Sequence, residues 1–143
     1  MKAYSRILAA VDLTDGSRAV VDRACEFARA SQGTLWLLHV VEFVPIEPMS
    51  DSLIPVMQID DQIMDRARTQ IATLAREIGL PAGSGSVEAG SAKGEILRHA
   101  REHSCDLIVL GARERHGLSI LIHRTEDSVL HGAPCDVLAV RTR

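Results

Sequence analysis

Two hydrophobic patterns alternate along the chain. "RILAAV", "TLWLLHVV", "CDLIVLG" and "CDVLAV" are almost unbroken apolar runs of strand length, closed by turn-forming or charged residues, as in strands covered on both faces. The segments between them switch to helical spacing. In "DLTDGSRAVVDRACEFARASQG" the apolar positions Val20, Ala24, Phe27 and Ala28 form one stripe, with Asp, Thr and Ser available as caps at the start and Gly33 as the stop. Ile59, Ile63, Ala67, Ile71, Leu74 and Ile78 recur every three or four residues and predict a second helix that ends before Gly79 and Pro81. "GSVEAG" predicts a short strand, "AKGEILRHAREH" a third helix and "EDSVLHG" a last helical segment.

Strands separated by helices of ten or more residues imply right-handed crossovers and a parallel sheet. The expected fold is therefore α/β, a doubly wound five-stranded parallel sheet with helices on both faces, and residues 1–143 form one domain. At this length a chain buries roughly 68% of the surface it exposes when unfolded, enough for one core. In such sheets a ligand sits beyond the carboxyl ends of the strands, where the strand order reverses, so the loops after Val11, Val41 and Leu110 are the place to look. The segment from Glu42 to Gln58, with Pro45, Pro48 and Pro55, is longer than a connection requires. It shows no convergent polar cluster and is assigned no catalytic role.

Composition narrows the classes of function. Apolar residues make up 46% of the chain but aromatics only 3%, so the core is aliphatic and the four rings, Tyr4, Phe27, Trp36 and Phe43, cannot build a base-stacking platform. A net charge of -3 argues further against a nucleic-acid partner, whose affinity comes from clustered cations. "MKAYSRILAAVD" reads as a first strand rather than a leader, and no run reaches the ~18 apolar residues of a membrane span. A cytoplasmic protein without a membrane partner is the expectation. Cys25, Cys105 and Cys135 form no C-x-x-C pair and read as buried free thiols.

The remaining chemistry is sparse. His99 and His103 stand four apart on the third helix with Glu95 one turn earlier, but a third ligand is missing and no metal site is assigned. His39 reads as a hydrogen-bonded core histidine. Ser17, Ser91 and Ser119 have no partnered His and carboxylate at hydrolase spacing, and neither a G-x-S-x-G elbow nor a G-x-x-x-x-G-K-S/T loop is present. The reading is of a protein that is not an enzyme. In "AGSAKGEI", Gly90 serves the turn and Ser91 caps the following helix.

Taken together, "ILAAVDLTDGSRAVVDRACEFA", "LWLLHVVE", "GSAKGEILRHAREHSCDLIVLGARERHGLS" and "VLHGAPCDVLAV" resemble the universal stress protein family from Arg6 to Val140. The resemblance implies a flavodoxin-like, adenine nucleotide alpha hydrolase-like sheet and a homodimer formed through the final strand, here Val137, Leu138, Ala139 and Val140. It also implies that Asp12 lies near an adenosine, that backbone groups around Val40 and Val41 face the adenine edge, and that the turn after the fourth strand holds phosphates. A carboxylate at Asp12 suits ribose hydroxyls, and by itself also suits a helix cap. ATP-binding members carry G-x-x-G, nine residues, then G-S or G-T in that turn. Gly111 matches the first glycine, whereas Glu114 stands at the second and Arg124 at the third, with Thr125 at the hydroxyl position. Counting back from "APC" puts His123 at the third glycine and Arg124 at the hydroxyl instead.

Glycine serves such turns because its backbone reaches φ > 0 and approaches phosphate oxygens without a Cβ. A carboxylate at Glu114 facing a phosphate costs about 4 kcal/mol at about 4 Å for an effective dielectric near 20. Arg113, Arg115 and Arg124 restore positive charge but not the close approach. The expectation is a small dimeric stress-response protein acting by binding. Its degenerate crevice, with Asp12, Val41, Gly111, Arg113, Glu114, Arg124 and Thr125, requires no cofactor and holds ATP weakly at most. An adenine nucleotide is the candidate ligand beside an unidentified regulatory protein partner. The competing reading is a switch that keeps ATP or another phosphorylated ligand through Arg113 and Arg124.

Overall fold

The four apolar runs and the short "GSVEAG" segment form one parallel sheet in a computed structural model that describes residues 3–42, 61–113 and 125–142. The strands are β1 (Arg6–Ala10), β2 (Thr34–Val41), β3 (Gly85–Ala89), β4 (Leu107–Arg113) and β5 (Asp136–Thr142), interleaved with helices α1 (Ser17–Ser31), α2 (Asp61–Glu77), α3 (Ala92–Glu102) and α4 (Thr125–Gly132). Their order across the sheet is β3-β2-β1-β4-β5, so β1 is central and the order reverses between β1 and β4. This is the predicted doubly wound α/β sheet.

The apolar runs are continuous because both faces of the sheet are covered. Ile7, Ala9, Leu37, Leu107 and Val109 point to one layer, where Val20, Val21, Ala24, Ala28, Ala67, Ile71 and Ala75 from α1 and α2 meet them. Their neighbours Leu8, Leu38, Ile108 and Leu110 point to the other, against Ile96, Leu97, Ala100 and Val129 from α3 and α4. Register ties the central strands together, with Leu8 opposite Trp36 on one side and Ile108 on the other.

Several boundaries depart from the expected ones. Gly33 does not stop α1: Gln32 takes the left-handed position at φ 54°, and Gly33 follows it with an N–H donated to Ala28 O at 2.9 Å. On α2 the buried positions are Ala67, Ile71 and Ala75, while Ile63 is 50% exposed and lines a cleft. Ile59 lies outside the described residues, as does the loop from Glu42 to Gln58 beyond its first residue. β4 runs past Leu110 to Arg113, where Thr142 of β5 partners it.

Among the described residues no helix is long and apolar enough to cross a membrane. Among the described residues no cysteine is in a disulfide; Cys25 and Cys105 are buried and Cys135 is partly exposed. Burial raises the pKa of Cys25 and pushes the Cys105 thiol up to about 11, the disposition of inert packing thiols rather than nucleophiles.

Candidate functional site

At the carboxyl ends of β1, β2 and β4 the helices stand back from the sheet and leave a cleft of about 540 Å³, the size of a small-molecule site. Asp12, immediately past β1, sits in its wall. One oxygen of this carboxylate, Oδ1, accepts from Thr14 N at 3.1 Å, Thr14 Oγ1 at 2.6 Å and Ser17 Oγ at 2.9 Å. These bonds brace the β1–α1 loop, in which Leu13 is held in the left-handed region at φ 58°. Asp12 is thus not the N-cap of α1. Gly16 occupies that position without a side-chain cap, so the helix-cap alternative gives way to a loop anchor at the crevice.

Val41 and Thr125 also line the cleft. The carbonyl of Val41 accepts from Gly90 N at 3.1 Å, which ties the end of β2 to the β3–α3 loop and leaves one lone pair toward other partners. Glu42 Oε1 reinforces the tie by accepting from Ala92 N at 3.1 Å. Thr125 begins α4, so the positive end of that helix dipole borders the site.

Gly111 is in the cleft wall, but its backbone does not start a phosphate turn. It lies within β4 opposite Val140, and φ is not positive there. A Cβ at Gly111 would meet Val20 Cγ2 at 3.3 Å and Thr142 Cγ2 at 3.4 Å. The glycine is accounted for by close packing of α1 and β5 beneath the cleft. Arg113 closes β4, with nothing described of its side chain, and Glu114 and Arg124 lie outside the described residues.

Four cleft residues had no place in the sequence reading of the site. His39 keeps its expected hydrogen bond, Nδ1 to Val11 O at 2.7 Å, yet it is only partly buried and borders the cleft. Arg66 and Gln70 of α2 face the same space, and buried Thr142 from the end of β5 packs at its base. Arg66 and Gln70 stand beside the stripe of Ile63, Ala67 and Ile71 among several other polar residues of the helix, so no sequence signal singled them out. Nothing local marked Thr142, which arrives from the far end of the chain.

His99 and His103 stack with ring centroids 4.0 Å apart, and Trp36 lies against both. Glu95, the neighbour one turn earlier, is engaged instead by Arg98 Nε at 3.0 Å. Among the described residues no three or more His, Cys, Asp or Glu gather at one point.

The model of the universal stress protein family matches residues 3–141. The chain belongs to that family. Universal stress protein A homolog 1 of Coxiella burnetii is 35% identical over 138 residues, 96% of this chain and 96% of that one. In structure, universal stress protein UspA from Lactobacillus plantarum superposes with a TM-score of 0.73 at 26% identity, covering 99% of this chain and 100% of that one. A universal stress protein solved in complex with cAMP shares the fold with a TM-score of 0.65 at 21% identity, over 99% and 100% of the two chains. Of the residues expected from the family resemblance, Asp12, Val41, Gly111 and Thr125 come to one cleft from four separate stretches of sequence.

Proposed function

We propose that this universal stress protein works by binding an adenosine monophosphate-type ligand in the cleft beyond β1, β2 and β4 rather than by turning a substrate over. The observation that carries the reading is the position of Asp12, a carboxylate at the topological switch point of the sheet and in the wall of a cleft of about 540 Å³. Its charge suits ribose hydroxyls, and the start of α4 at Thr125 suits one phosphate. A relative of the same fold was solved with cAMP, which carries a single phosphate. A triphosphate is held poorly, because Glu114 and Arg124 stand in sequence where bare main chain is needed. In this reading no cofactor is required, the protein acts in the cytoplasm as a homodimer through β5, and the bound nucleotide sets its affinity for a regulatory partner.

Calorimetric and thermal-shift titrations of the purified chain with AMP, cAMP and MgATP test it. AMP or cAMP at about 100 times its dissociation constant adds about 2.7 kcal/mol of stability, and MgATP adds less at equal concentration. Asp12→Asn keeps an oxygen for Thr14 and Ser17 but removes the charge, and is expected to weaken AMP about tenfold. Tighter binding of MgATP than of AMP would favour the ATP switch instead. No shift with any adenine nucleotide would sink the cleft as a nucleotide site.

A further inference from the structure

Two of the three cysteines come together at the end of the sheet opposite the cleft. Cys105 precedes β4 and Cys135 precedes β5, adjacent parallel strands in which Leu107 stands opposite Asp136. Cys105 is two residues before that pair and Cys135 one, an offset of a single residue. At the spacing and rise of parallel strands this offset corresponds to Cα atoms about 6 Å apart, inside the range of about 4.4 to 6.8 Å that a disulfide spans. Both side chains belong to the same core layer, under α3 and α4. Burial first, and then the neighbouring Cys135, push the Cys105 pKa up to about 11, so the two thiols feel each other's charge. The main chain around Cys105 is fixed: its N–H donates to Ala100 O at 2.9 Å, and the Asp106 carboxylate accepts from Ser5 N and Arg6 N at 2.8 and 3.0 Å. Cys135 is the open member, partly exposed between exposed Pro134 and Asp136. Cys25 lies in the other layer, across the sheet.

We propose that Cys105 and Cys135 form a reversible oxidation site that consumes one hydroperoxide and closes a disulfide between the starts of β4 and β5. Solvent reaches Cys135 first. Its thiolate attacks one oxygen of the hydroperoxide, the O–O bond breaks, and the alcohol, or water from hydrogen peroxide itself, leaves with the thiol's proton. The sulfur is oxidised by two electrons to a sulfenic acid and the peroxide is reduced by the same two. The Cys105 sulfur then attacks the Cys135 sulfur, the S–O bond breaks, and hydroxide leaves as water with the Cys105 proton. Two thiols and one hydroperoxide become one disulfide, one alcohol and one water. On its own Cys105 is an inert packing thiol, with only about one in 10⁴ ionised near pH 7. Beside a sulfenic acid, that low fraction is offset by effective concentrations of about 10⁵ M or more in well-oriented intramolecular reactions. The site is separate from the cleft and does not depend on the cleft binding a nucleotide.

The test exposes the reduced full chain to a small molar excess of hydrogen peroxide, blocks the remaining thiols with iodoacetamide under denaturing conditions, and reads intact mass and linked peptides. The wild type is expected to lose two of its three thiols, to become about 2 Da lighter before alkylation while remaining a single chain, and to recover both thiols with dithiothreitol. The linked peptides should be those carrying Cys105 and Cys135. Cys25→Ala should respond as the wild type does, because that thiol stands in the other layer. Cys135→Ala, at a partly exposed position, should keep both of its thiols at the same dose. Cys105→Ala should stop at the sulfenic acid of Cys135, trapped by dimedone, with the melting temperature of each variant reporting intact folding. Wild-type thiols that survive peroxide overturn the inference. So does oxidation of Cys135 to a sulfinic acid without a linked peptide, which would show that the two sulfurs cannot meet, and so does a disulfide formed between chains or through Cys25.

Discussion

His99 is a buried histidine, 5% exposed, on the inner face of α3. Burial first, then the neighbouring His103 and Arg98, lowers its pKa to about 4. The folded state therefore refuses a proton that the unfolded chain accepts near its ordinary value of about 6.5. The stability this neutral ring allows is complete above about pH 6.5, falls as the pH drops toward about 4, and levels off below. Urea unfolding at about pH 8 and about pH 5 should show a loss of about 1 to 2 kcal/mol that His99→Leu largely abolishes. An unaltered pH slope in the variant would show that the ring is not the group responsible. The spacing of His99 and His103 was visible in sequence. Their stacking against Trp36 was not, since it depends on β2 passing beneath α3.

At the scale of elements, the β3–α3 connection holds one edge of the cleft. Gly90 adopts φ 151°, a conformation that L side chains rarely take, and its N–H holds Val41 while Ser91 Oγ accepts from Gly94 N at 2.9 Å to cap α3. Ser91→Ala should cost about 1 kcal/mol and lower the melting temperature by about 3 °C in scanning calorimetry, with Ser91→Thr restoring most of it. Equal melting of the Ala variant and the wild type would deny the cap its role. Turn and cap chemistry of this kind is local, and "AGSAKGEI" displayed it directly. α1 shows the opposite case. Capping residues were plentiful before it, yet the helix begins at an uncapped Gly16 because Asp12 and Ser17 bond to each other in bracing the crevice.

For the whole molecule, β5 is the edge strand beside β4, and among the described residues its outer backbone edge has no partner strand. Val137, Leu138 and Val140 are only partly buried and pack on the chain's own two cores, while Ala139 is exposed. Self-pairing through this edge, as proposed, would use main-chain hydrogen bonds more than these side chains. Sedimentation of the wild type should give twice the chain mass, and Ala139→Lys should shift it to the monomer, because charge on an edge strand opposes pairing. A monomeric wild type at micromolar concentration, or a variant of unchanged mass, would rule this edge out.

The sequence alone determined the elements and their layering, because continuous apolar runs and helical stripes report burial on two faces or one, and burial is set largely by each residue's own polarity. It also marked Asp12, Ser91 and the departures at Glu114 and Arg124 from the glycines of the family's ATP-binding turn. Tertiary structure decided why Gly111 is glycine, since Val20 and Thr142 reach it from α1 and β5, and it turned the α2 face of Ile63, Arg66 and Gln70 toward the cleft rather than the core. Those facts depend on contacts between residues far apart in the chain, and no local pattern encodes which distant side chain fills a given space.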